Sequence, residues 1–269
     1  MGLTSFLMKA GRGGTKGRPD KLTQTQQSFI AWNAERLGIT PEESRKRYFE
    51  SWGALEGGHA GNGYRAFNDT ADRLFQVFHN DGQAEIYEAY RMHAPMHCLR
   101  MLSYGEPTWR DEDVLVRKLS GRGRVDILDF GCGLAQRSRS LAVHLQGKGV
   151  PVRLFLADIP TIRKDFLLWL GEKAGTPTTF LPCTRETPIP ELPACDLCLA
   201  NDFFEHVHDP LLYFNRFHAA LNPGGLMEAD VADHEDIFMH VSPKLGMLRD
   251  RLRDLGYRVL VPDSIYGKP

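Results

Sequence analysis

The hydrophobic rhythm of the chain changes near residue 120. Before that point apolar side chains recur three and four apart; after it, short apolar runs alternate with such stretches. Gln24 to Leu37 carries Phe29, Ile30, Trp32 and Leu37 and predicts a helix. Thr40-Pro41-Glu42-Glu43 predicts the start of another: Thr40 caps it, Pro41 suits its first turn and Glu43 completes a capping box. Tyr48, Phe49 and Trp52 then form its apolar side. Five glycines between Gly53 and Gly63 predict a loop, either a moving cover or a surface linker. Further helical stretches follow at Ala71–Phe78, Ala84–Tyr90 and Met96–Leu102, and one capped by Thr108–Asp111 that reaches Leu119.

From Val125 onward strand and helix patterns alternate. Val125–Phe130 predicts a buried strand, Gly131-Cys132-Gly133 a tight turn, and Gln136–Gln146 a helix. Arg153–Ala157 predicts a strand ending at Asp158, and Ile162, Phe166 and Leu170 fall four apart on the next helix. Strands follow at Thr178–Leu181, Cys195–Ala200, Leu226–Val231 and Tyr257–Val261. Between them, Leu211, Phe214, His218 and Leu221 mark a helix stopped by Asn222-Pro223-Gly224-Gly225, and Val241, Leu245, Leu248, Leu252 and Leu255 form a helical stripe ended by Gly256. Repeated β–α units predict an α/β fold with a doubly wound, mostly parallel sheet. The expected organisation is a flexible basic arm at 1–21, a helical cap or substrate/dimerisation region at 22–120, and the α/β catalytic domain at 121–269.

Composition narrows the partners. The 269 residues are 42% hydrophobic and 25% charged, as in an ordinary soluble protein, and a formal charge of -1 offers no bulk attraction to nucleic acid or anionic membrane. No stretch reaches the roughly 18 apolar residues of a membrane span, and no secretory segment opens the chain, so a cytoplasmic location is expected. Five cysteines, an odd number, do not read as a disulfide scaffold. Cys195-x-x-Cys198 lies in an apolar strand with no second such pair, which favours packing over redox or zinc chemistry.

Several groups have chemistry to offer. Gly131-Cys132-Gly133 lacks the third glycine of a dinucleotide fingerprint and the Gly-Lys-Ser/Thr of a phosphate loop, but allows a ligand against the backbone at a strand's carboxyl end. Asp158 is a two-acceptor carboxylate suited to a diol. Glu205-His206-Val207-His208-Asp209 is the densest titratable cluster, and Asp230, Asp233, His234, Glu235, Asp236 and His240 form a second. Together they hold the inventory of a divalent-metal site, but their spacing does not define one, and no metal is assigned. Tyr64, Arg65, Tyr87, Tyr90, Arg91, His93 and His97 form either a substrate lid or an aromatic packing seam.

From Val125 to Val261 the chain resembles a class I, Rossmann-like S-adenosylmethionine-dependent methyltransferase. VDILDFGCGLAQ resembles the family's first motif, LFLADIP the end of its second strand, DLCLANDFFEHVHDP its fourth strand and following loop, and LNPGGLM the turn into its fifth strand. The resemblance implies S-adenosyl-L-methionine as cofactor. Gly131, Cys132 and Gly133 would hold its methionyl end, with Asp129 either accepting from its ammonium or ordering the glycine loop, Asp158 would hold its ribose and Ile159 cover one adenine face. Cys183 and Thr184 would lie in the adenine loop, and Asn201 and Asp202 where the fourth strand meets cofactor and substrate.

The implied reaction is methyl transfer to an oxygen or nitrogen of a small molecule. Its catalytic candidates are His206, His208 and Asp202, either histidine being able to take a proton, with Tyr64, Tyr90, His97 and His234 on the substrate side. A nucleic-acid methyltransferase is an alternative, although Asn201-Asp202-Phe203-Phe204 lacks the prolines of the base amino-methyltransferase motif; a non-catalytic cofactor-binding scaffold is another. A homodimer through the N-terminal helices is a further expectation. Only eight residues follow Val261, so the family's closing edge hairpin is expected to be incomplete, one strand being absent or very short.

Overall fold

Val125–Phe130, buried at every position, forms strand β1 at the centre of a seven-stranded sheet. The computed structural model describes residues 22–56, 98, 101–102, 104–234 and 240–269. Within them, helices α1 (Gln24–Leu37), α2 (Pro41–Glu56) and α3 (Val114–Leu119) precede β1. There follow α4 (Gln136–Gly147), β2 (Val152–Asp158), α5 (Ile162–Ala174), β3 (Thr178–Pro182), β4 (Cys195–Ala200), α6 (Pro210–Ala220), β5 (Leu221–Ala229), α7 (Gly246–Asp254), β6 (Arg258–Val261) and β7 (Ile265–Gly267). The strand order is β3-β2-β1-β4-β5-β7-β6. β1 through β5 are parallel, and β7 runs antiparallel to both β5 and β6.

This order fixes where a ligand sits. The chain winds outward from β1 through β2 to β3, then returns to β4 on the other side of β1. At that reversal the loops after β1 and β4 turn to opposite sides, and in open α/β sheets ligands bind beyond the strands' carboxyl ends at such a point. Apolar side chains fill both faces of the sheet, Leu141, Leu145, Phe166 and Leu170 on one and Phe204, Phe214, Phe217 and Leu248 on the other.

The N-terminal helices complete the first of these cores. α1 opens with a capping box in which Thr23 and Gln26 satisfy each other's backbone N–H groups, and it closes on Gly38 in the left-handed conformation. Its Phe29 and Trp32 rings lie 5.2 and 5.3 Å from that of Phe166 on α5. The Ser44 hydroxyl of α2 donates to the buried Ile30 carbonyl at 2.7 Å. Phe166 is fully buried, so Phe166→Ala is expected to lower the unfolding free energy by about 3–5 kcal/mol through lost contacts and a cavity. Urea unfolding reads this; a loss under about 1 kcal/mol would mean that the seam relaxes to fill the space.

Several expectations change. Gly53–Glu56 is the last turn of α2 rather than loop. At the start of that helix the Thr40 hydroxyl accepts from the Glu43 N–H, but the Glu43 carboxylate engages Arg47. The helix expected from Thr108–Asp111 begins at Val114, because the Asp113 carboxylate folds back onto the Arg110 N–H and holds a turn. α7 begins at Gly246 rather than Val241; Pro243 disfavours helix at Ser242, and that stretch is tied elsewhere by Ser242 N–H to the Glu205 carbonyl and His234 N–H to the Pro243 carbonyl. β5 takes in Leu221 and the Asn222–Gly225 turn. The edge hairpin closes despite its few residues, since the chain reverses through Asp263 at φ 55° and leaves a three-residue β7. The arm at 1–21, the glycine run from residue 57 to 63 and the helices expected at 71–78 and 84–90 lie outside the described residues.

Candidate active site

The turn after β1 is strapped to the end of β2. Gly131 and Gly133 adopt φ 68° and 56°. The N–H groups of Gly131 and Cys132 both donate to the Ala157 carbonyl, at 2.8 and 3.3 Å. The Gly133 N–H donates to Asp158 Oδ2 at 2.7 Å. A side chain at Gly131 would come within 2.8 Å of the Phe203 ring, and one at Gly133 would overlap the end of Met101. In this structure the side chains of Phe203 and Met101 lie against these glycines, and both would be displaced by any side chain there.

Asp158 has more partners than its position in the sequence suggests. Oδ1 accepts from the Ile159 N–H at 2.6 Å and from the buried Arg163 guanidinium at 3.3 Å, and the side chain is 12% exposed. Arg163 also donates to the Thr161 hydroxyl at the start of α5. Asp129 is buried behind the glycine turn, where the Ser138 hydroxyl donates to it at 2.5 Å. Burial pushes its carboxyl up to about 7, opposed by the Ser138 bond and reinforced by the charges of Asp158 and Glu228. Glu228, on β5, is held by the guanidinium of Arg137, which also lies 4.5 Å from the Trp109 ring centre.

The third strand brings its predicted residues to the same rim. Pro182 pairs with Asp158, and the next residue, Cys183, donates its N–H to the Asp158 carbonyl at 2.9 Å. Cys183 and Cys132 are both buried, which raises both thiols and leaves them inert as nucleophiles. The Thr184 hydroxyl accepts from the Thr187 N–H at 3.1 Å and closes a turn. Ile159 is half-buried beside Asp158. Ser138 and Arg163 were missed from the sequence; each looks like an ordinary polar helix position until the carboxylate it meets is known.

Beyond β4, Asn201 is half-buried and Asp202 is exposed at φ 53°. Phe203 packs edge-on against Phe130 and Tyr213, at 5.0 and 5.2 Å between ring centres. A short 3₁₀ turn, Phe204–His206, then carries Glu205 inward to 0% exposure. Both of its carboxylate oxygens lack a hydrogen-bond partner, as does His234 Nε2. His234 Nε2 lies 3.7 Å from Glu205 Oε1 and 3.9 Å from Asp230 Oδ1. His206 Nε2 lies 3.7 Å from Asp202 Oδ1, and the His240 ring centre is 5.0 Å from that of His206 and 5.2 Å from that of His234.

Burial raises the Glu205 carboxyl, and the neighbouring His206 imidazole holds that of Asp202 down. The two clusters seen in the sequence thus meet through Glu205, His206, Asp230, His234 and His240. His208 is exposed, while Asp209 caps α6 by accepting from the Leu212 N–H and Asp233 accepts from the Leu245 N–H. Tyr64, Tyr90, His97, Glu235 and Asp236 lie outside the described residues.

The family model described as a methyltransferase domain matches residues 102–261, more than half of the chain. Similar solved structures include a protein described as a sarcosine dimethylglycine methyltransferase from Galdieria sulphuraria: 22% identity, TM-score 0.34, over 43% of this chain and 42% of that one. A SAM-dependent methyltransferase from Aquifex aeolicus is 18% identical with a TM-score of 0.41, over 59% of this chain and 87% of that one. The [4+2]-cyclase SpnF is 16% identical with a TM-score of 0.47, over 66% and 73%. No curated protein matches the chain significantly. Among the described residues no helix is long and apolar enough to cross a membrane. The family match spans the glycine turn, Asp158 and every strand but β7, and by it the chain belongs to the methyltransferase-domain family, its sheet being that of a class I, Rossmann-like S-adenosylmethionine-dependent methyltransferase domain.

Proposed function

We propose that this enzyme methylates an oxygen or nitrogen of a small molecule, in the cytoplasm and without a nucleic-acid partner. The observation that carries the reading is the strapped junction of glycine turn and Asp158 at the sheet's reversal point. The donor set fits the cofactor: two carboxylates for a cationic amino acid and a diol, backed by apolar surface for a purine. S-adenosylmethionine supplies an electrophilic methyl group on a sulfonium, so transfer breaks one S–C bond, forms one O–C or N–C bond and releases the acceptor's proton.

Asp129 and the glycine turn take the methionyl end, Asp158 orients the ribose, and Ile159, Cys183 and Thr184 lie on the adenine side. Asn201 and Asp202 stand between cofactor and acceptor. His206 and His208 are the acceptor-side groups, and His206, which joins the buried cluster, is favoured. His234, with 7% of its side chain exposed, acts through Glu205; Tyr64, Tyr90 and His97 belong to the proposed acceptor cover. Near-neutral charge argues against nucleic acid, and five free cysteines suit a reducing compartment. A homodimer through the N-terminal helices is part of the proposal, and sedimentation equilibrium reads it.

Incubation with methyl-labelled cofactor and a metabolite pool tests the activity. Label should appear in the small-molecule fraction. Label in added RNA or DNA would overturn the acceptor class, and tight cofactor binding without turnover would favour the scaffold. Asp158→Ala tests the cofactor half by calorimetric titration. One charge-assisted bond is worth roughly 1.5–3 kcal/mol, so affinity should fall about tenfold or more. The same variant also frees the Gly133 N–H and Arg163, so its melting temperature should fall too. A folded variant with unchanged affinity would remove Asp158 from the ribose site.

A further inference from the structure

Under the loop after β4, side chains from two separate segments converge on one buried point. We propose that Glu205, His206 and His240 bind a divalent first-row transition-metal ion, with His234 holding Glu205 in position. One ligand atom from each of the three lies within 4.8 Å of the others. Such an ion holds its ligands about 2.0–2.2 Å away, so any two are at most roughly 4.4 Å apart, and a small side-chain motion closes the set. Glu205 is the decisive observation. It is fully buried, with neither carboxylate oxygen hydrogen-bonded, and an unmet buried acceptor costs roughly 1–3 kcal/mol. A cation supplies one oxygen with the partner it lacks, and His234 Nε2, 3.7 Å from Oε1, is placed to supply the other.

The surroundings favour binding over accident. His234 Nε2 is buried, has no hydrogen bond of its own, and lies 3.7 Å from Glu205 Oε1; a slight closure makes it the outer partner that orients a ligating carboxylate. The two ligand-bearing segments are already tied together, since Ser242 donates its N–H to the Glu205 carbonyl at 3.0 Å and its hydroxyl to the Val207 carbonyl at 2.7 Å. Two imidazoles and one carboxylate suit zinc, iron or nickel better than magnesium or calcium. Ion binding stands on these donors alone. Its use in catalysis rests on the proposed methyl transfer: an acceptor hydroxyl bound to the ion loses its proton to solvent more readily, and the resulting oxyanion attacks the methyl carbon.

The test is calorimetric titration of the full chain with Zn²⁺, followed by Co²⁺ absorption. One equivalent should bind. His234→Ala should weaken it roughly 10–100-fold, and E205Q and H240A at least as much, each variant checked for a native melting transition. The wild-type Co²⁺ spectrum should show no thiolate charge-transfer band, which keeps the test decisive even where a variant fails to fold. No stoichiometric binding by the folded wild type, a thiolate band, or unchanged affinity in folded E205Q and H240A would overturn the site. S-adenosylmethionine titrated into the same E205Q sample should bind as in wild type, which separates failure of the metal site from failure of the cofactor assignment.

Discussion

His206→Asn is expected to slow methyl transfer by roughly 10²–10⁴-fold, the range for removing a group that handles the acceptor's proton, with little change in cofactor affinity. Asparagine keeps a polar side chain of similar reach but offers neither a base nor a good metal ligand. His206 sits on the 3₁₀ turn next to buried Glu205 and against His240, and is not among the residues proposed to hold the cofactor. The loss should therefore fall on kcat. His208→Ala is the comparison: its side chain is exposed and outside the cluster, so its loss of rate should be the smaller of the two. Near-normal turnover in H206N would make His206 structural, and a loss confined to H208A would move the role two residues along.

Much of this architecture is legible in the sequence because strand and helix periods are local. β4 falls at Cys195–Ala200 and α1 at Gln24–Leu37, as their apolar patterns predict. The parallel order follows from repeated β–α units, and the glycine turn and Asp158 fall at the carboxyl ends of β1 and β2 as those patterns predict. What local periodicity cannot carry is which side chains meet across strands. Glu205 reads as one more acid in a polar loop. Its burial against His234 and His240 arises because β4 and β5 are parallel neighbours, so the loops leaving their carboxyl ends lie side by side. The same holds for Asp158, whose ties to Gly133 and Arg163 join three segments. Where one residue overrides the period, as Pro243 does in front of α7, the apolar stripe persists while the helix does not.

Cofactor affinity is expected to rise with pH up to about 7 and then level off, and Asp129→Asn should abolish that dependence. Asp129 is buried, and that burial pushes its carboxyl up to about 7, with Asp158 and Glu228 adding to the rise and the Ser138 hydroxyl bond and Arg137 opposing it. A cationic methionyl ammonium favours the ionised form, so below that value binding must first release a proton. Each pH unit then costs about 1.4 kcal/mol, close to tenfold in affinity. Stability runs the opposite way. The unfolded carboxyl ionises from its ordinary value of 3.8, whereas the folded one keeps its proton to about 7. The free protein should therefore be most stable at the acid end of that window and lose stability as pH rises through it. Asparagine cannot ionise, so D129N should gain in melting temperature relative to wild type across the window while binding cofactor less well at pH 7 and above. Calorimetric titrations and thermal melts between pH 5 and 8 check both halves. A cofactor affinity equally pH-dependent in D129N would assign the titration to another group and remove Asp129 from the methionyl site.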